Sequence, residues 1–287
     1  MSRTTALDGS ARRFMHIGDH PAVGEDGIRS WYVRLQNALA AWSEISAAPK
    51  TIYQEAAAEI LVVLPDTGAL LHAGQKRREA PARSICIVPR GQTVIELKES
   101  GRVIRFFSPI PDALGSLAIN GEDYAVPHGD VRPLEWMPMR HDADEIRIFP
   151  IDRLMAERPN RPPTIQSETM NVMWIERTGP HDRSQLAPHA HEGFEEGALV
   201  VEGEYVQHLR TPWTEDARRW RDDEHRLCGR GTFTIVPPAV VHTTEAIGSG
   251  RHMMLNIFAP ARSDHIDNGL VVNRSEYEAI APKVADT

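Results

Sequence analysis

The chain has 287 residues, of which 41% are hydrophobic and 25% are charged, and its formal net charge is −8. This length fits two domains or one large domain, and the composition excludes a chain dominated by intrinsic disorder. The acidic balance and the lack of a basic tract argue against nucleic acid as the main partner. The longest aliphatic run, Ile60 to Leu64, is far too short for a membrane-spanning helix, so no membrane partner is expected.

The N-terminal segment and the cysteines indicate the compartment. The first residues, MSRTTALDGSARRF, contain no apolar core of a secretory signal peptide, so we expect a cytoplasmic protein. The two cysteines, Cys86 and Cys228, lie far apart and form no CxxC pair. This pattern excludes a disulfide framework and argues against a thiolate zinc site.

The first half of the chain reads as short strands after a polar start. Residues 1–30 form an N-terminal extension that is expected to add no core element, and a helix is expected from Leu35 to Ser46. Four short apolar runs then end at turn residues: EILVVL, SICIV, TVIEL and VIRFF. Short strands bounded by Gly, Pro, Asp or Asn are typical of β-sandwiches and β-barrels.

The second half repeats this texture. Its apolar runs are TMNVMWIE, ALVVEG, TFTIV and MMLNIF, with helices expected at Ile151 to Glu157 and at Ser275 to Ile280. The segments IVPRGQTV (87–94) and IVPPAVVH (235–242) look like copies, which indicates an internal duplication. We therefore predict an all-β protein of two similar halves, residues 31–135 and residues 140–287, each a sandwich or a barrel.

A histidine pair marks the second half. His189 and His191 form an HxH pair inside PHAHEGFEEGALVVEGEY. Alternate residues of a strand point to the same side, so both imidazoles can reach one point in space. Glu196 follows after four residues and Gly203 after six more, and GTFTIVPPAVVH farther on ends in His242.

These spacings resemble the metal-binding motifs of the cupin superfamily. The first motif, Gly-x5-His-x-His-x3,4-Glu-x6-Gly, is matched from His189 to Gly203, and the second, Gly-x5-Pro-x-Gly-x2-His-x3-Asn, from Gly231 to His242. Three motif positions depart, because Arg183 and Ala239 replace glycines and Ala246 replaces the asparagine. None of these is a metal ligand in the family, but Ala239 leaves the geometry of its turn open.

The resemblance implies two tandem jelly-roll barrels, a bicupin, with His189, His191, Glu196 and His242 converging inside the C-terminal barrel. Three imidazoles and one carboxylate suit a divalent transition metal better than Ca²⁺ or Mg²⁺. We expect one ion per chain, with Fe(II) favoured over Mn, Ni, Co, Cu or Zn. Glu195 is an alternative carboxylate ligand because the motif allows three or four intervening residues, but the following glycine favours Glu196.

The first half lacks this ligand set. When Glu59 is aligned with the motif glutamate, Ile52 and Gln54 stand where the histidines would be, and Val94 takes the place of the third histidine. We expect this barrel to hold no metal and to support the second barrel or a subunit interface. A metal-free small-molecule site is the weaker interpretation.

The resemblance leaves the activity open, because cupins include dioxygenases, isomerases, decarboxylases, lyases and non-catalytic binders. We favour a metal-dependent dioxygenase or related oxidoreductase acting on a small oxygen-rich or aromatic acid, since open metal positions let the acid and dioxygen meet. A sugar-acid isomerase or lyase is the second hypothesis and needs a separate general base. His208 and Tyr205 are the catalytic candidates, beside Glu204. A barrel that binds a small molecule without turnover is the third.

The assembly state follows from the same pattern. A barrel without its own chemistry is expected to persist for a structural role, and jelly-roll edges need covering. We therefore expect a homodimer with the N-terminal barrel or extension in the contact. The alternative is a monomer that buries the first barrel against the second within one chain. Light scattering tests this, because the mass of a single chain, unchanged at higher concentration, would contradict the homodimer.

Overall fold

The computed structural model describes residues 13–24, 27–139, 144–159 and 161–277. In these residues the chain is mostly β-strand, as predicted, with three short α-helices. The strands up to the first barrel's end are β1 (Arg13–His16), β2 (Ile28–Arg34), β3 (Leu39–Ile45), β4 (Lys50–Ala56), β5 (Ile60–Leu64), β6 (Ala69–Ala73), β7 (Lys76–Ala80), β8 (Ser84–Val88), β9 (Gly91–Leu97) and β10 (Gly101–Phe107).

The later strands repeat the pattern. They are β11 (Arg147–Pro150), β12 (Thr164–Gln166), β13 (Asn171–Thr178), β14 (Glu196–Glu202), β15 (Glu204–Arg210), β16 (Glu224–Cys228), β17 (Thr232–Val236), β18 (Val241–Ile247) and β19 (Arg251–Phe258). The helices are α1 (Asp112–Gly115), α2 (Ile151–Glu157) and α3 (Ser263–Asp267). Each of the eight predicted apolar runs coincides with a strand. No helix among the described residues has the length and apolarity that crossing a bilayer requires.

Each barrel consists of one large and one small antiparallel sheet. The first combines the sheet β11-β8-β5-β10-β3-β2 with the sheet β4-β9-β6-β7. The second combines β1-β17-β14-β19-β13-β12 with β16-β15-β18. The two large sheets have matching strand orders, which supports the duplication inferred from the sequence.

The two barrels exchange one edge strand. The first strand of the chain, β1, pairs with β17 of the second barrel, whereas β11, which follows the inter-barrel segment, pairs with β8 of the first barrel. Ile17, just after β1, is buried in the core. The expectation that the N-terminal extension adds no core element is therefore wrong for its described part. The proposed domain boundaries remain a prediction.

The largest apolar cluster joins the two barrels. It contains Trp42 and Phe106 from the first barrel together with Trp174 and Phe233 from the second. Separate clusters fill the interior of each barrel. The strands of the large sheets are thus buried on both faces, and this explains one error of the sequence analysis.

The predicted helix at Leu35 to Ser46 is wrong, because strand β3 occupies this segment. All but one of its seven residues are buried, so the sequence lacks the alternation of apolar and polar residues that marks a half-exposed strand. The helix at Ile151 to Glu157 is confirmed as α2. At the C-terminal end a 3-10 helix spans Arg274–Glu276, and the rest of the third predicted helix, beyond residue 277, lies outside the described residues.

Candidate metal centre

The fold brings the four predicted ligands to one point. Glu196 is the first residue of β14, and His242 is the second residue of β18. His189 joins His242 through a pair of backbone hydrogen bonds of 3.0 and 2.8 Å, which fixes the HxH segment beside β18. One donor atom from each of His189, His191, Glu196 and His242 lies within 4.8 Å of the others.

The glutamate is at the centre of this cluster. Glu196 Oε2 accepts hydrogen bonds from His191 Nε2 at 3.0 Å and from His242 Nε2 at 3.2 Å. Its other oxygen, Oε1, accepts a hydrogen bond from Asn256 Nδ2 at 2.7 Å. Asn256 lies on β19 directly beside β14, so two adjacent strands hold the carboxylate in place.

Backbone carbonyls orient two of the imidazole rings. His189 Nδ1 donates to the Ala187 carbonyl at 2.9 Å, and His242 Nδ1 donates to the Val240 carbonyl at 3.0 Å. A histidine whose Nδ1–H is bound in this way turns Nε2 toward the cluster, which is the usual support for a metal-bound imidazole. At His242 a metal would replace the hydrogen bond from Nε2 to Glu196. His189 is the exposed member, so the cluster opens toward solvent on its side.

Burial and mutual contacts shift the charges of the cluster. Burial raises the pKa of Glu196, but the hydrogen bonds from His191 and His242 outweigh it and hold that pKa well below its ordinary value. Burial lowers the pKa of His191 despite its contact with the glutamate. Burial also lowers the pKa of His242, but the hydrogen bond and charge of Glu196 outweigh it and raise that pKa. The ionised Glu196 and the neutral His191 are in the states that metal binding requires, whereas a metal would have to displace a proton from His242.

The adjacent glutamate points away from the cluster. Glu195 accepts hydrogen bonds from the Tyr124 hydroxyl at 2.7 Å and from the Gln36 backbone N–H at 2.8 Å, both in or beside the first barrel. Glu195 is nevertheless buried, like Glu196. It lies in the contact between the barrels, where burial raises its pKa to about 7.

Two tight turns shape the site. Ala239, which replaces the motif glycine, has a φ of +63° and thus keeps the left-handed conformation of that turn, a state that costs a non-glycine residue about 1–2 kcal/mol. Its N–H donates to the His191 carbonyl at 2.9 Å. At Gly203, with φ of +80°, an added Cβ would approach His252 Nδ1 to 2.5 Å, so the motif glycine is required there.

The two catalytic candidates lie apart from the cluster. Burial alternates along β15, so Tyr205 faces the barrel interior and His208 faces the other way. His208 contacts His225 at 2.7 Å and Glu245 at 3.1 Å. Tyr205 is four residues from Leu209, which pairs with His242, and thus about 13 Å along the strand from the cluster. Their catalytic role remains a prediction that this placement does not favour.

Sequence reasoning missed a cation beside the cluster. Arg262, four residues after β19, places Nη1 2.6 Å from His191 Nδ1. Asp264 accepts two hydrogen bonds from the same guanidinium, at 3.0 and 2.6 Å, and thereby fixes its orientation. The ring of Phe258 lies 4.8 Å from the guanidinium carbon. Asn256 was also missed, although a lone asparagine inside the apolar run MMLNIF was a detectable signal.

Comparisons with known proteins agree with the fold. No family model matches the sequence, and no curated protein matches it significantly. Among solved structures, AerE from Microcystis aeruginosa is similar with a TM-score of 0.53 and 10% identity over 84% of this chain and 96% of that one. A single-substitution variant of oxalate decarboxylase from Bacillus subtilis gives a TM-score of 0.58 and 11% identity over 90% and 79%.

A further oxalate decarboxylase structure from Bacillus subtilis, described for its Mn(II) centres, gives a TM-score of 0.56 and 11% identity over 89% of this chain and 78% of that one. Identities this low concern the fold alone. The cluster of three histidines and one glutamate independently supports a site for a divalent metal. The matched strand orders of two barrels and these structural neighbours together show that the chain has the fold of a bicupin.

Proposed function

We propose that this protein is a metal-dependent enzyme that acts on a small organic acid at His189, His191, Glu196 and His242. The observation that carries the proposal is the convergence of these four donors on one point, beside a guanidinium that is aimed at the same point. A divalent transition metal bound there would supply Lewis-acid chemistry and, as Fe(II), redox chemistry toward dioxygen.

The residues present fit such an ion. The donors are two buried imidazoles, one exposed imidazole and one buried carboxylate, a mixed nitrogen and oxygen set typical of Fe, Mn, Co, Ni, Cu or Zn. Four protein ligands leave room for up to two further ligands in an octahedral arrangement. The exposed side at His189 is where a small molecule would enter.

Arg262 supports the choice of an acid as the substrate. Asp264 takes Nε and Nη2 of the guanidinium, which leaves Nη1 directed at the cluster. A charge-assisted hydrogen bond from Nη1 to a carboxylate would hold an acid next to the ligands. Phe258 and Phe194 flank the same guanidinium, so the surroundings also accept an apolar or aromatic part of the substrate.

We favour a dioxygenase or related oxidoreductase over the alternatives. The test is an oxygen-uptake screen of oxygen-rich and aromatic acids with anaerobically Fe(II)-loaded, untagged protein, repeated with Mn(II). Acid-dependent dioxygen consumption with Fe(II) is the expected result. Metal binding without turnover of any acid would instead leave a small-molecule-binding protein.

A lyase is the second candidate. It is favoured by the structural similarity to oxalate decarboxylases and by the guanidinium that could hold a carboxylate. Release of carbon dioxide from an acid without net dioxygen consumption would select this candidate. A general base in place of His208 or Tyr205 would then be sought among groups nearer the cluster, because those two lie apart from it.

The metal content is expected to be one ion per chain. Among the described residues, the second barrel holds the one group of three or more histidine, cysteine or acidic side chains suited to a metal. Elemental analysis of protein purified without an affinity tag measures this ratio. A ratio near two would contradict the expectation that the first barrel binds no metal.

Arg262→Gln is expected to weaken binding of the acid substrate, while the metal remains bound. Loss of one charge-assisted hydrogen bond costs about 1.5–3 kcal/mol, which corresponds to a KM about 10- to 100-fold higher. Steady-state kinetics with the acid identified by the screen, together with metal analysis, checks this. Arg218→Gln is the matched control because the Arg218 side chain is 80% exposed. An unchanged KM in Arg262→Gln would exclude the proposed contact.

A further inference from the structure

A second arginine is buried inside the first barrel. Arg105 is at the middle of β10, between the core residues Val103 and Phe107, and only 3% of its surface is exposed. It neighbours Tyr32 through Ala41, because Arg105 and Tyr32 are both cross-strand partners of Ala41. Side chains of cross-strand partners point to the same face, so Arg105 and Tyr32 both face the barrel interior.

The contacts of this guanidinium are neutral. Nη1 donates to Gln54 Oε1 at 3.1 Å, and Nη2 donates to Ser43 Oγ at 2.8 Å. Among the residues that the structure describes, Nε has no hydrogen-bond partner, and neither does the Gln54 amide nitrogen. Within the described residues no carboxylate forms an ion pair with Arg105. A buried charge without a counter-charge is costly, so an anion placed against Arg105 would be stabilised.

A cavity leads to the guanidinium. It has a volume of about 370 Å³ and lies between the edge strands β2 and β4, where α1 closes one side. Arg105, Gln54, Ser30 and Tyr32 supply polar groups to its lining, and apolar side chains such as Ile52 cover much of the rest. Apolar walls around a few convergent polar groups are typical of a small-molecule site.

The duplication places Arg105 at an informative position. Ile60 pairs with Val88 as Glu196 pairs with Val236, which makes Ile60 the counterpart of the central glutamate. The alignment of Glu59 with the motif glutamate was thus off by one residue. Two positions later, Val62 pairs with Arg105 as Ala198 pairs with Asn256.

Arg105 therefore occupies the place that Asn256 has in the second barrel. Asn256 binds the central glutamate of the metal cluster. In the first barrel the corresponding interior position carries a fixed positive charge instead. A guanidinium can attract an anion where the other barrel would use a metal ion.

We propose that the first barrel binds a small organic monocarboxylate, without a metal, on the guanidinium of Arg105. The carboxylate pairs with Arg105 and accepts from the amide of Gln54, and a short aliphatic or aromatic body lies against the apolar walls. Among the described residues of the lining, Glu55 is the one acidic side chain, and it is exposed. Its charge disfavours multiply charged anions such as phosphate. This site is independent of the function proposed for the second barrel.

The experiment uses 4-fluorobenzoate as the probe and fluorine NMR of the full chain stripped of metal. The fluorine signal of the probe is expected to broaden in a saturable way when the protein is added. Neither sodium chloride at equal ionic strength nor sodium phosphate is expected to displace the probe. Arg105→Gln is expected to weaken binding at least about tenfold, as loss of a charge-assisted hydrogen bond implies. His242→Ala and Arg262→Gln are expected to bind the probe as the unmodified protein does.

A second variant keeps the test decisive if Arg105→Gln fails to fold. Gln54→Glu has the same shape and gives Arg105 an internal carboxylate, so it is expected to abolish probe binding and to raise the melting temperature. Gln75→Glu is the matched control, because it adds the same charge at an exposed turn between β6 and β7. Unchanged binding in Gln54→Glu, loss of binding in Arg262→Gln instead, or no binding at about 10 mM probe, a weak-affinity limit, would each overturn the proposal.

Discussion

His242→Ala is expected to remove the metal while leaving the second barrel folded. The substitution deletes one of three imidazoles and the contact to Glu196 Oε2, but it leaves the backbone pairing of β18 with β15 intact. Changing a residue that only supports a ligand already costs about 10- to 100-fold in metal affinity, so loss of a ligand is expected to cost more than about 100-fold. Elemental analysis and circular dichroism of the purified variant measure the two effects.

The two adjacent glutamates provide a matched pair for this experiment. Glu196→Gln is expected to weaken metal binding, because it removes the ionised oxygen at the centre of the cluster. Glu195→Gln is expected to keep the metal, since Glu195 binds Tyr124 and Gln36 instead. The Glu195→Gln substitution is expected to lower the free energy of unfolding, because it weakens the contact between the barrels. If Glu195→Gln loses the metal and Glu196→Gln retains it, the motif register assigned to this chain is off by one.

Trp174→Ala is expected to destabilise both barrels together. The indole is fully buried in the cluster that joins the large sheets, its Nε1 donates to Glu176 at 2.8 Å, and Arg83 lies over its ring. Truncation of a buried tryptophan costs about 3–5 kcal/mol in the free energy of unfolding. Chemical denaturation followed by circular dichroism measures the loss, and one cooperative transition is expected because the cluster is shared.

The control for this variant is Trp213→Ala, which removes the same ring from a position that is 77% exposed. Trp213 stacks on Trp220, and such a pair contributes about 0.5–1.5 kcal/mol, so a much smaller loss is expected. Equal losses of unfolding free energy in the two variants would show that the shared apolar cluster does not contribute more to stability than an exposed tryptophan pair. Two separate transitions in Trp174→Ala would show that the barrels unfold independently.

The strands and the metal cluster could be predicted because each has a signal in the sequence itself. Short apolar runs ending at turn residues mark strands locally. The HxH pair lies outside the strands, because His189 forms only an isolated bridge with His242, so the pair was identified by its motif spacing. The long-range partner His242 followed from motif spacing, and the structure places it beside the pair through backbone bonds. These signals depend on neighbouring residues or on a spacing already known from a family.

The remaining features depend on tertiary contacts that have no local signal. Strand β3 was mistaken for a helix because both of its faces are buried, one inside its barrel and one against the other barrel. Arg262 reaches the cluster from beyond the end of β19, outside either motif. Arg105 lies inside the run VIRFF, where an arginine reads as the exposed residue of a strand until the fold shows that it is buried.

Because the two barrels exchange edge strands, they are expected to stay associated even without the covalent connection between them. A protease that cut the connection near Val126, which is exposed, would produce a front fragment that carries β1 and a rear fragment that carries β11. Each fragment would hold an integral strand of the other fragment's sheet as well as half of the shared apolar cluster. The nicked protein would therefore behave as a tightly bound heterodimer, and two separately produced polypeptides could reconstitute it by complementation.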